Sequence, residues 1–140
     1  MAVMWDLDGV LRNLAVGVFG KEPPTWDYGP GRKGNLIDRV NKKKDLLLSA
    51  LPAEFYQLVR DKEITILTHQ QKGWKSYTDR WIARRLPKAR VIYVDNAEDK
   101  LKHLKDGDYL VEDSPTLSDY SKVILILKPY NKHINTARYN

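Results

Sequence analysis

The residues of this 140-residue chain best suited to chemistry are polar groups that close short apolar runs. Asp6 and Asp8 stand at the end of Ala2–Leu7, and Thr68 with His69 follows Ile64–Leu67. Asp95 follows Val91–Val94, and Glu112 with Asp113 follows Tyr109–Val111. Carboxylates gathered with one hydroxyl and nearby lysines make a site for a hard cation and a phosphate. Such a cation prefers charged oxygen ligands, and a phosphate takes hydrogen bonds from hydroxyl and ammonium groups. Cysteine is absent, which excludes a thiolate nucleophile, a disulfide framework and a cysteine-built zinc site. His69, His103 and His133 are too dispersed to form a zinc set.

These groups must be brought together by the elements that carry them. The four runs and a fifth, Val123–Leu127, are almost continuously apolar, the pattern of strands buried on both faces in a parallel sheet. Helical stretches lie between them: Leu36–Leu51, broken at Asn41–Asp45, then Glu54–Arg60 opened by Pro52, Trp74–Leu86 and Asp99–Leu104. Trp74 and Trp81 read as core positions of their helix. The alternation predicts a three-layer α/β fold with a Rossmann-like, mostly parallel five-stranded sheet. Ligands of open α/β sheets bind at the carboxyl ends of the strands. Asp6, Asp8, Thr68 and Asp113 are therefore expected to converge. Asn13–Asn35, rich in Gly and Pro, reads as a long loop over the end of the first strand, with Trp26 and Tyr28 placed either to stack on a base or to cover the core.

Three of these strand ends also carry a family likeness. WDLDGVLR (Trp5–Arg12) resembles the first motif of the haloacid dehalogenase superfamily of phosphatases, ITILTH (Ile64–His69) its second, and LVEDSP (Leu110–Pro115) its fourth. The third motif is a lysine ahead of the fourth, either Lys100 or Lys102. The order and spacing span about the whole chain. The ending ILKPYN (Ile126–Asn131) is similar to that of the 5′-nucleotidases of the deoxyribonucleotidase type. The resemblance implies the superfamily core with a small insertion, a reduced cap, near residues 13–51. It implies Asp6 as nucleophile forming an aspartyl-phosphate and Asp8 as acid–base. Mg²⁺ would be held by Asp6, the backbone carbonyl of Asp8, and Asp113. Thr68, His69 and Lys100 would bind the substrate phosphate. The implied activity is a Mg²⁺-dependent phosphomonoesterase on nucleoside monophosphates.

The length suits a single domain, residues 1–140. No apolar run approaches the roughly 20 residues of a membrane helix, so no membrane partner and a cytoplasmic protein are expected. Lys plus Arg exceeds Asp plus Glu by 24 to 18, a net charge of +6 that permits a phosphate-bearing polymer as partner. A 3′-phosphatase acting on nucleic acid ends, or a phosphate-binding or nucleic-acid-binding module without turnover, are the alternatives on this ground.

Overall fold

The computed structural model describes residues 2–23, 35–117, 120–131 and 138–139. Its sheet contains β1 (Val3–Trp5), β2 (Thr65–His69), β3 (Arg90–Val94), β4 (Tyr109–Glu112), β5 (Val123–Ile126) and β6 (Arg138–Tyr139). They run in the order β3-β2-β1-β4-β5-β6, every pair parallel. The five expected strands are all present. The sixth is a two-residue addition at the edge, too short to leave an apolar run in the sequence.

Successive strand residues point to opposite faces, and the core divides accordingly. Trp5, Ile66 and Val111 face Phe55, Val59, Trp81 and Leu86. Their neighbours Met4, Leu67 and Leu110 face Leu101, Leu104 and Leu117. The first face is covered by α4 (Tyr56–Val59) and α5 (Lys75–Arg85), the second by the 3-10 helices Ala97–His103 and Pro115–Leu117. Burial on both sides explains why these strands read as continuous apolar runs.

Between β1 and α4 lie α1 (Leu14–Phe19), α2 (Leu36–Lys42) and α3 (Leu46–Ser49). Leu14, Ala15, Leu36, Val40, Leu47 and Ala50 give them a small core of their own. The break between α2 and α3 falls at Lys43–Asp45, within the interruption that the sequence predicts. Trp74 and Trp81 are both buried, and their indoles tether the insertion to α5. Trp74 Nε1 donates to Asn41 Oδ1 at 2.7 Å and Trp81 Nε1 to the Ala50 carbonyl at 2.8 Å.

Two local expectations are corrected. The start of the segment expected as loop is the helix α1, closed by Gly20 in the left-handed conformation. Trp26 and Tyr28 lie outside the described residues. Pro52 does not open a helix, since α4 begins only at Tyr56. Instead Pro52 pairs with Arg12 across an antiparallel bridge. Asn13 N–H donates to the Leu51 carbonyl and Ala53 N–H to the Leu11 carbonyl, each at 2.8 Å. Pro52 occupies the position between these bonds, where no donor is required.

Candidate active site

The chain passes from β1 through β2 to β3 on one side, then returns to place β4 against the other edge of β1. A crevice opens where strand order reverses in this way. Trp5 pairs with Val111, and Asp6 N–H continues the ladder to the Val111 carbonyl at 2.9 Å. Asp6 therefore lies level with Glu112 at the carboxyl end of the sheet.

A cavity of about 450 Å³ opens at this point. All six expected site residues line it: Asp6, Asp8, Thr68, His69, Lys100 and Asp113. Ala15 of α1, Ile37 of α2 and Ala97 add apolar wall. Lys102, the other candidate for the third motif, is exposed and pairs with Asp99 at 3.0 Å.

Lys100 is buried between two carboxylates. Its ammonium lies 2.8 Å from Asp6 Oδ1 and 2.7 Å from Glu112 Oε2. Burial alone would drive off its proton, but Asp6 and Glu112 together raise its pKa well above the ordinary lysine value. Asn96 sets the start of the 3-10 helix that delivers this lysine, accepting from Asp99 N–H at 2.9 Å.

Glu112 is fully engaged. Besides Lys100, its Oε1 accepts from the backbone N–H groups of Asp113 at 3.1 Å and Ser114 at 3.2 Å. Burial opposes its ionisation, yet Lys100 and the hydrogen bonds carry its pKa down to about 2. Asp113 is different. Burial and then Glu112 push its pKa up to about 7, even though the Tyr130 hydroxyl donates to its Oδ2. Asp6 is likewise raised well above the carboxylate range by burial and by Glu112, and Lys100 does not offset this.

Asp6, Glu112 and Asp113 offer oxygens within 4.8 Å of one another, with the ammonium of Lys100 between Asp6 and Glu112. Burial, and then the neighbouring Glu112, disfavour the charged forms of Asp6 and Asp113. Anionic oxygens this close, with too little counter-charge, fit a hard divalent cation. The carboxylate of Asp8 is not part of this cluster.

Asp8 is held from the other side. Arg12, wholly buried, donates from Nε to Oδ1 at 2.6 Å and from Nη2 to Oδ2 at 3.0 Å. The same guanidinium reaches the Leu47 carbonyl and Thr78 Oγ1, and stands 5.7 Å over the Trp81 ring. Gln70 Nε2 donates to Asp8 Oδ2 at 3.1 Å and to Thr68 Oγ1 at 2.7 Å, joining the two residues. His69 is exposed at the rim, its Nδ1 donating to the Val94 carbonyl at 3.1 Å.

Several contacts of this arrangement are not legible in the sequence, although Gly9, Tyr130 and Asn131 lie in the motifs quoted above. Gly9 has φ +87°, and a Cβ there would lie 2.7 Å from Asp113 Cγ. Tyr130 and Asn131, in the ending similar to the nucleotidases, close onto the fourth motif. Asn131 Nδ2 donates to the Asp113 and Ile126 carbonyls, each at 2.9 Å. Gln70 and Thr78 carry no signal in the sequence, because polar residues near a strand end or on a helix are common.

No protein-family model matches the chain, and no curated protein does. Among the described residues, no helix is long and apolar enough to cross a membrane.

Proposed function

We propose that this chain is a Mg²⁺-dependent phosphomonoesterase of haloacid dehalogenase type, acting on a nucleotide phosphate through an aspartyl-phosphate on Asp6. The observation that carries the reading is the convergence of Asp6, Asp8, Thr68, Lys100 and Asp113 on one cavity beside the β1–β4 crossover. A cytoplasmic setting suits this chemistry.

The cation would be held by Asp6 and Asp113. When bound, it supplies positive charge that offsets the repulsion between a carboxylate and a phosphate. The Thr68 hydroxyl and the Lys100 ammonium bind the non-bridging oxygens. With Nδ1 donating to the Val94 carbonyl, His69 Nε2 can donate to the phosphate only in the doubly protonated imidazolium. A carboxylate oxygen of Asp6 forms a bond to phosphorus as the bond from phosphorus to the leaving oxygen breaks. Asp8 would pass a proton to that oxygen, one it takes up with the substrate, because in the free site Arg12 donates to both of its oxygens. In the second half Asp8 takes a proton from water, whose oxygen bonds to phosphorus. The bond to Asp6 then breaks, releasing phosphate and restoring the carboxylate. Arg12 and Gln70 are positioning residues, because they hold Asp8 and Thr68 in one frame.

The test is phosphate release from nucleotides, sugar phosphates and p-nitrophenyl phosphate with Mg²⁺ present. Activity should vanish in chelator and in Asp6→Asn. Full activity in either condition would contradict the reading.

A further inference from the structure

Beyond the cavity, exposed cations lie along α5 and at both of its ends. On α5, Arg80 and Arg84 are four residues apart, and residues four apart share a helix face. Lys72 precedes the helix and Lys88 follows it. All four side chains are exposed, and none has an ion pair among the described residues. The one acid of α5, Asp79, is occupied by Lys75 and by the Tyr93 hydroxyl. It leaves the line unbroken.

The upper end of this line meets the cavity. Gln71 lines the cavity and Lys72 is its neighbour. Lys44 brings its ammonium to 3.1 Å from the position of a Cβ on Gly73, and Lys42 and Lys43 are exposed beside it. The bond from Trp74 to Asn41 fixes this end of α2 to the start of α5. The basic band thus runs from the mouth of the cavity down a helix of 11 residues, about 16 Å at 1.5 Å per residue.

A small phosphate ester has no use for cations at that distance, whereas an extended polyanion does. None of the large exposed apolar side chains lies on α5, so the band offers no pocket for the side chains of an acidic peptide. A nucleic-acid strand needs none, since it presents one charge per nucleotide whatever its sequence.

We propose that the substrate is the phosphorylated end of a single nucleic-acid strand, its terminal phosphate in the cavity and the following phosphates along α5. This rests on the phosphatase reading for turnover, but the binding surface is testable without it.

The probes are fluorescein-labelled oligothymidylates carrying a 3′- or a 5′-phosphate, followed by anisotropy in chelator so that nothing is hydrolysed. Single strands lose affinity with a slope of about −0.7 per phosphate contact, so four contacts give roughly a 50-fold loss between 50 and 200 mM salt. Arg80→Glu/Arg84→Glu should weaken binding more than tenfold. It should also lower kcat/KM on the strand relative to p-nitrophenyl phosphate by a similar factor. Arg80→Ala/Arg84→Ala, which adds no charge, should fall between. Absent binding, binding indifferent to salt, or binding unchanged in both variants would overturn the proposal. Turnover of p-nitrophenyl phosphate without strand binding overturns it and leaves the phosphatase reading standing. Strand binding without phosphate release from any substrate sinks the phosphatase reading and retains the surface. Comparison of the two labelled strands assigns the end.

Discussion

At Lys100 one ammonium serves two buried carboxylates. Removing one partner of a buried ion pair typically costs about 3–5 kcal/mol, because the other charge is left uncompensated. Lys100→Met should destabilise the chain by about that amount in urea unfolding, and a loss below about 1 kcal/mol would show the pairing to be unimportant. The carboxylates also set a pH dependence. Asp113, raised to about 7 in the folded chain, binds its proton more tightly there than when unfolded. In chelator, stability should therefore fall as pH rises from about 4 through 7. Glu112, lowered to about 2, works in the opposite window, and its contribution is lost as pH falls below about 4.5. Thermal unfolding in chelator should thus show a lower Tm at pH 8 than at pH 5, and Mg²⁺ should shrink the difference. Equal Tm values in chelator would contradict the assignment. Gly9 poses a steric demand instead. Gly9→Ala forces a left-handed φ on alanine, about 1–2 kcal/mol, and drives a methyl into Asp113. Stability should fall by at least that amount and phosphate release should be lost, whereas a neutral effect on both would be inconsistent with this turn.

Among the elements, the insertion α1–α3 depends on α5 through two indoles. Trp74→Phe keeps the ring in the small core and removes the bond to Asn41. It should cost about 0.5–1.5 kcal/mol. Amide exchange should accelerate in α2 and not in β1, β2 or β4. Uniform acceleration would mean that the insertion and the sheet open together. This region also shows where the sequence stops being legible. The strands were readable because burial on both faces leaves almost unbroken apolar runs, and the same runs placed Asp6, Thr68 and Asp113 at one edge. The helix α1 was not readable. Gly17 within it costs about 1 kcal/mol against alanine, and Asn13 makes no side-chain cap. Packing of Leu14 and Ala15 against Leu47 and Ala50 overrides that local preference. Arg12 was equally opaque, because its role depends on Leu47, Gln70 and Thr78, which only the fold brings near.

Three buried carboxylates, Asp6, Glu112 and Asp113, cluster at the crossover of the sheet, and exposed cations lie along α5. On the proposal made here, that arrangement would let one surface attract a polyanion and one cavity hold its end. The central claim is that Asp6 becomes phosphorylated, and trapping of the phospho-enzyme tests it most directly. The chain is mixed with p-nitrophenyl phosphate and Mg²⁺, quenched in acid within milliseconds, digested and mapped by mass spectrometry. One phosphoryl group should appear on the peptide containing Asp6, localised to that residue, and none in Asp6→Asn. Phosphate found on Asp8 or another residue, or p-nitrophenol released with no phospho-enzyme at any quench time, would contradict the account.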